Sequence, residues 1–432
     1  MSLYENTVQV KLSEIVFDEG LYPRVEGHDP ETVQTYARDM EEIEAAGKFI
    51  SINADNVLLD GRHRMLAYKK RADGADVEIP VFKRAVSSKL ESFRLACILQ
   101  DKGRALSNDD RIASAKKLYS FGDQSQKEIA RALGVSAATI SSWLSRTIKE
   151  EKELKKAKAL EMWMACKTQE EIAEAVGMTR QAIAVWEDEF AKNSEREDFA
   201  NSRDFDPPIY NVWKQQNKSN KVNHFGNSEP RWLENLIYLY TEPGDIVVDP
   251  FAGGASTIDV CKKRGRRYFV ADRKPIVERE HEIRKHDLID DAGKIQMPNV
   301  PRWKDVRLVY LDPPYWKQAE GQYSKDPTDL ANVDLAEFNQ HLSGIIKAFA
   351  SKLKNGHTSY IALIIQPTQW KAPERQYTDH VADMLNAVKL PIHMRFSVPY
   401  ESQQCNAQMV EWAKQNKACL VLTREIIVWS VQ

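Results

Sequence analysis

Asp312, Pro313, Pro314 and Tyr315 stand together, directly after the apolar run Leu308-Val309-Tyr310-Leu311. A carboxylate followed by a prolyl carbonyl offers two acceptors, and the proline rings fix the turn that points both inward. Such a pair can take both hydrogens of an exocyclic amine and leave the nitrogen lone pair aimed at an electrophile. Tyr315 adds a flat aromatic face on which a planar group can stack, and Trp316 is expected to widen that platform. A second segment, Asp249-Pro250-Phe251-Ala252-Gly253-Gly254-Ala255-Ser256, follows the apolar run Ile246-Val247-Val248. Its glycines let backbone approach a ligand without a Cβ collision. The helix expected from Ser256 to Lys263 begins there with free N–H groups. Asp249 is placed to hold a cationic amino group, directly or through water.

Both segments are buried-strand patterns that end in an acid and a tight turn. In a parallel α/β sheet, ligands sit at the carboxyl ends of the strands. Two such ends in one domain suit a cofactor and a substrate side by side. Tyr360–Ile365, Ile392–Phe396, Leu420–Leu422 and Ile426–Trp429 are expected to supply strands that finish the sheet, with two helices between them. That leaves little chain for a separate target-reading domain after Tyr315.

The pair of segments resembles the DNA amino-methyltransferases, which use S-adenosylmethionine. The resemblance extends upstream through His224, the proline-initiated amphipathic stretch Glu229–Ile237 and Pro243-Gly244-Asp245. It implies a Rossmann-like domain in which Asp249, Phe251, Gly253, Gly254, Ser256 and His224 seat the cofactor. Asp272, at the end of Arg267–Ala271, takes the ribose hydroxyls, and Asp287 meets the adenine edge, although no clear strand precedes Asp287. Asp312, Pro313 and Tyr315 are then the catalytic group, with Tyr315 and Trp316 stacking on the target base. Aspartate rather than serine at position 312 favours adenine N6 over cytosine N4 by the same resemblance. One departure stands out: Ala255 occupies a position where the family usually has glycine. No cysteine follows a proline, so the nucleophilic chemistry of C5-cytosine methylation is not expected.

Residues 1–105 read as a small α/β unit, with strands near Val8–Val10, Val57–Leu59 and Ile79–Phe82 and a helix from Pro30 to Glu44. Tyr22-Pro23-Arg24, the Gly61-x-x-Arg64-x-x-Ala67 core and the closing Ile79-Pro80-Val81 resemble the ParB-like N-terminal domain. In that resemblance Gly61, Arg62 and Arg64 cradle phosphates; the alternative is a structural turn with exposed arginines. Residues 106–200 read as all-helical and carry a repeat. Ile129-Ala130, Gly134, Ile140 and Trp143 recur forty-three positions later as Ile172-Ala173, Gly177, Ile183 and Trp186. Glycine supplies a tight turn and Ser136 or Thr179 caps the next helix. This looks like two helix-turn-helix units whose second helices enter a major groove. Ser136, Thr139, Ser141 and Arg146 would face DNA from the first unit, and Thr179, Arg180 and Gln181 from the second; Glu187, Asp188 and Glu189 argue that the second only packs. Glu195–Asp206 with Pro207-Pro208 has a linker composition, which puts the last boundary near residue 200 and the catalytic domain at 201–432. The basic run Lys262–Arg267 reads equally as a phosphate contact or a solvated helix end.

The formal net charge is −2 over 432 residues, so any DNA-binding charge must be local. The five cysteines have no metal-ligand or disulfide spacing, and no metal is expected. No apolar run is long enough to span a membrane, and the N-terminus lacks the pattern of a signal peptide. The expected whole is a multidomain α/β, cytoplasmic, nucleoid-associated DNA adenine-N6 methyltransferase of phage or mobile-element type, acting in a bacterial or phage-infected host. Double-stranded DNA is the expected partner and a homodimer an open one. The rivals are a DNA-binding regulator with an inert methyltransferase domain and an N4-cytosine enzyme.

Overall fold

The structure, a computed structural model, describes the chain except residues 1–5, 26, 104, 123, 200–201, 215–228, 318–325, 327, 355, 371–375 and 400–405. It divides into two compact units, residues 1–154 and 155–432. The division falls inside the expected helical region rather than at residues 105 or 200.

In the first unit, β1 (Val8–Lys11), β2 (Ile50–Ile52), β3 (Leu58–Asp60) and β4 (Glu78–Lys83) form a sheet of order β1-β4-β2-β3. The expected helix from Pro30 is two helices, α1 (Pro30–Arg38) and α2 (Met40–Ala45). They part at Asp39, which leaves helical geometry and pairs with Arg38. Asp29 caps α1 by accepting from Glu31 and Thr32 N–H groups, with proline at the first helical position. Gly61 stands at φ 99°, the left-handed geometry that starts α3 (Arg62–Ala72). Then come α4 (Lys89–Gly103), α5 (Asn108–Ser120), α6 (Gln126–Leu133) and α7 (Ala137–Met164). Ser125 and Glu128 form a capping box for α6, and Gly134 ends it at φ 64°. Ile129, Leu133, Ile140 and Leu144 close this helical pair around its own core with Phe93, Cys97 and Leu118.

The second unit opens with the other copy of the repeat, α8 (Gln169–Val176) and α9 (Arg180–Ser194), joined at Gly177 with φ 63°. Its main sheet has the order β12-β13-β9-β8-β5-β6-β7. The strands in chain order are β5 (Ile246–Asp249), β6 (Arg267–Asp272), β7 (Arg284–Lys285), β8 (Val306–Leu311), β9 (Ser359–Ile365), β12 (Ile392–Ser397) and β13 (Glu425–Val431). β10 (Thr368–Trp370) and β11 (Gln376–Thr378) form a separate hairpin. Strands β5 to β9 of the sheet run parallel; β13 and β12 are antiparallel additions. The helices are α10 (Pro230–Tyr240), α11 (Ser256–Lys263), α12 (Leu335–Lys352), α13 (His380–Val388) and α14 (Ala407–Gln415). Expected strand Leu420–Leu422 is irregular chain, whereas β7, not expected before Asp287, pairs with β6.

Alternate residues of each strand face opposite sides of the sheet. Val247, Leu308 and Tyr310 join one core with α9, α10 and α11 residues; Val248, Val309 and Leu311 join another with Phe338, Ile345 and Phe349 of α12. Trp163, Ile183, Trp186 and Phe190 belong to the first of these cores. The second helical repeat is therefore part of the same packed body as the sheet.

The segment read as a linker is likewise packed. Arg264 lies over the Phe199 and Phe205 rings, donates through Nε to Glu234 at 2.7 Å and pairs with Asp204 at 2.9 Å. Arg266 pairs with Asp198 at 2.5 Å. Arg267 lies over Trp163 and donates to its carbonyl. All three arginines are buried. The basic run is thus split: Lys262 and Lys263 are exposed at the end of α11, whereas the three arginines are packed inside. Their guanidiniums tie residues 163–204 to the sheet, because buried charges need partners. Among the described residues no helix is long and apolar enough to cross a membrane.

Candidate functional site

In strand order, β5 lies between β6 and β8. The chain leaves β5 toward β6 and β7, then returns to β8 and continues to β9 on the other side. The strand order therefore reverses between β5 and β8, and the crevice beyond their carboxyl ends is where such sheets bind ligands. Asp249 ends β5, and Asp312 follows β8.

Asp249 is 2% exposed. Its Oδ1 accepts from the Phe251 N–H at 2.9 Å and its Oδ2 from the Thr257 hydroxyl at 2.5 Å. These bonds shape the loop from inside, so the carboxyl acts on the loop rather than lying open. Burial pushes its pKa up to about 7, and the nearby charges of Asp312 and Asp272 push the same way. Gly253 is at φ 48° and Ala255 at φ 63°. Gly254 is not among the left-handed residues, so the strained position is Ala255 itself. A non-glycine residue there costs roughly 1–2 kcal/mol. Ser256 is the first residue of α11 and only partly buried.

Asp272 ties the loop to β6. Its Oδ2 accepts from Gly253 N–H at 2.9 Å and its Oδ1 from Lys274 N–H at 2.8 Å. Asp287 pairs with Arg273 at 2.7 Å, and Arg273 also pairs with Asp326 at 2.5 Å and donates to Thr328 at 2.8 Å. His224 lies outside the described residues.

Beyond β8, Pro313 is buried and Asp312 partly exposed. The Tyr315 hydroxyl donates to Asp312 Oδ1 at 3.0 Å. Burial raises the Tyr315 pKa far above its ordinary value, so it is a neutral donor. Trp316, expected beside it as a platform, is 7% exposed and its indole N–H donates to the Val333 carbonyl at 3.0 Å. Its ring is part of the core beneath the turn. The Trp316 carbonyl accepts from Thr368 Oγ1 at 3.3 Å, and Thr368 in turn meets His380 Nε2 at 2.9 Å. Burial pushes His380 down to about 4, so it is a neutral part of this support. Sequence reasoning did not single out Thr257, Thr368, Gln366 or Arg424. For Thr257 the signal was present, a hydroxyl two positions past Ala255 on the first turn of a helix.

Residues 81–279 match the family model described as DNA methylase, of the N6/N4 type. The match takes in the glycine loop and Asp272 and ends before Asp312. A type II methyltransferase, M.XycI from Xanthomonas campestris pv. cyanopsidis, is 34% identical over 64 residues, 15% of this chain and 21% of that protein. The chain thus spans 21% of the length of this curated relative. In the crystal structure of the C-terminally truncated chromosome-partitioning protein ParB from Caulobacter crescentus, complexed to the centromeric parS site, the likeness covers 41% of this chain and 96% of that one, at 14% identity and a TM-score of 0.24.

The N-terminal candidates are held internally. Arg64 pairs with Asp60 at 2.7 Å and donates to the Phe49 carbonyl at 2.8 Å. Arg62 lies over the Phe17 ring at 4.2 Å. A Cβ on Gly61 would meet the Arg64 side chain at 3.1 Å. On the first helical pair, Ser136 caps α7 by accepting from Thr139 N–H at 3.1 Å. Ser136 and Ser141 are exposed, and Arg146 is exposed and paired with Glu150. On the second, Thr179 caps α9, Arg180 pairs with Glu170 at 2.9 Å and Gln181 is exposed. Glu187 is buried, accepting from Gln169 and from Arg302.

Proposed function

We propose that this chain is an S-adenosylmethionine-dependent DNA methyltransferase that acts on adenine N6 of a base flipped from duplex DNA. The observation that carries the reading is the juxtaposition of Asp249 and Asp312 at adjacent strand ends where the strand order reverses. The match to a DNA methylase model over the glycine loop supports it. The body at 155–432 is then read as Rossmann-like, and the first unit as a ParB-like module with a helix-turn-helix.

The residues present fit the cofactor. Asp272 and Asp312 stand at the crevice, and Asp249 feels the charges of both from beneath the loop. That suits a ligand carrying sulfonium and ammonium charges. Phe251, Gly253, Gly254 and Ser256 would seat it on the start of α11, and Asp272 would hold the ribose while bracing Gly253. Asp287 would reach the adenine only from beside Arg273. Bound there, S-adenosylmethionine supplies the methyl group. Asp312 and the Pro313 carbonyl would accept the amine hydrogens and hold the nitrogen lone pair outward; the carboxylate would stabilise the positive charge that develops on the nitrogen, and the surplus proton would leave to solvent. Tyr315 orients Asp312 and offers its ring to the base. Ser136, Thr139, Ser141 and Arg146 would contact the groove or its phosphates. Thr179, Arg180 and Gln181 are the lesser DNA surface, since Glu187 of their helix is buried against Arg302.

The test is incubation with labelled S-adenosylmethionine and unmodified plasmid DNA, then digestion to nucleosides. Label in N6-methyldeoxyadenosine supports the reading; label in N4-methyldeoxycytidine moves it to the other amine. No label on DNA at all favours an inert regulator, for which the strained Ala255 speaks.

A further inference from the structure

Strand β13 runs antiparallel to β9 with Glu425 opposite Ile365, and β9 runs parallel to β8 with Leu363 opposite Leu311. An antiparallel strand begins where its parallel neighbours end. Arg424, the residue before β13, therefore lies at the same sheet edge as Asp312 and Tyr315. Its guanidinium carbon is 5.1 Å from the Tyr315 ring centroid and 5.7 Å from that of Trp232. Its Nε donates at 3.2 Å to Gln366 Oε1, on the residue that follows β9. The Arg424 carbonyl accepts from Val398 N–H at 2.9 Å, which holds its main chain at this edge independently of the side chain.

Tyr315 packs against the core that contains Trp232 and Tyr310. A base stacking on this ring needs a face the core leaves uncovered, and Arg424 lies over the ring. A stacked base and a guanidinium cannot share one face. Charge argues the same way, because an amine gaining a methyl group becomes cationic and a guanidinium beside Tyr315 opposes that. A guanidinium released from a ring at the mouth of a DNA site is, in turn, a ready bidentate partner for phosphate.

We propose that Arg424 closes the target-base site in the DNA-free protein by stacking on Tyr315, and that an entering base displaces it onto a phosphate of the same DNA strand. This rests on the reading of the crevice as a base site. It makes Arg424 a positioning residue that exchanges its contact with the Tyr315 ring, made beside its bond to Gln366, for a phosphate when DNA is engaged.

The test uses the full chain loaded with S-adenosylhomocysteine. Deoxyadenosine and deoxycytidine, neither carrying phosphate, are titrated into wild type and Arg424→Ala and followed by ligand-observed NMR. Removing a guanidinium–ring contact should tighten binding of one nucleoside by a factor of about 3 to 30. The same variant should bind plasmid DNA more weakly, with the slope of log affinity against log salt shallower by about one. Arg424→Gln should move both readouts in the same directions, and it covers the case in which the alanine variant misfolds. Nucleoside binding that is unchanged or weaker in the folded variants overturns the proposal, as does the absence of nucleoside binding in every protein. Failure of the functional reading looks different: wild type binds nucleoside and S-adenosylhomocysteine yet transfers no methyl group to DNA.

Discussion

Tyr315 donates its hydroxyl hydrogen to Asp312 Oδ1 across 3.0 Å. The ring assigned to the base therefore also orients the carboxylate assigned to the amine. Tyr315→Phe keeps the ring and loses the bond, so kcat should fall while the KM for DNA holds; a hydrogen bond to a charged group is worth ~1.5–3 kcal/mol. Tyr315→Ala loses both, and its KM should also rise, since base–aromatic stacking is worth ~1–3 kcal/mol. Steady-state kinetics on one duplex separates the two. Equal KM values for all three proteins would remove the stacking role.

Asp272 accepts from Gly253 and Lys274 N–H groups while it stands at the proposed ribose position. Asp272→Ala should weaken S-adenosylmethionine and S-adenosylhomocysteine alike, by about tenfold or more, through the lost acceptor and the loosened loop. Calorimetry with both ligands reads this. Unchanged affinity for both would reject the assignment.

Asp249 carries a pH signature. Burial raises its folded pKa from 3.8 to about 7, so the folded protein keeps a proton that the unfolded chain gives up. The stability this contributes is whole below about pH 4 and is lost as pH rises through 7; a shift of this size corresponds to about 4 kcal/mol. Asp249→Asn cannot titrate and can still accept from Phe251. Unfolding measured from pH 5 to 8 should show a decline in wild type that the variant lacks. Parallel curves would show that another group governs the range.

The strand ends that carry the candidate acids could be read from the chain, because strand, acid and turn are adjacent in sequence at Asp249, Asp272 and Asp312. The helical repeat was legible for the same reason: its glycines and caps are local signals. What could not be read depends on partners far away in the chain. Glu195–Asp206 looks like a linker by composition, yet Asp198 and Asp204 pair with the buried Arg266 and Arg264. Trp316 next to Tyr315 looks like a second platform, but only folding shows that Val333 takes its N–H. The two residues of β7 are too short a run to show any period.

The packing of α8 and α9 fixes where the chain can be cut. A fragment of residues 201–432 would lose Trp163, Trp186 and Phe190 from the core and leave Arg267 buried without its ring. It should be insoluble or unfold at low temperature, whereas residues 155–432 should fold and bind cofactor. Circular dichroism melts of the two fragments decide this. A stable 201–432 fragment would show that the helical repeat is not needed for the sheet to fold. Residues 155–432 should methylate DNA poorly at moderate salt if the first unit supplies the main duplex contacts.

The central claim is that Asp312 acts on the amine of a DNA base while the neighbouring crevice holds the methyl donor. The most direct measurement is single-turnover transfer of labelled methyl to duplex DNA by wild type and Asp312→Ala, paired with calorimetry of S-adenosylhomocysteine. The account predicts transfer to an exocyclic base nitrogen by wild type, a loss of roughly 100-fold or more in the variant, and the same cofactor affinity in both. Near-normal transfer by Asp312→Ala would contradict it.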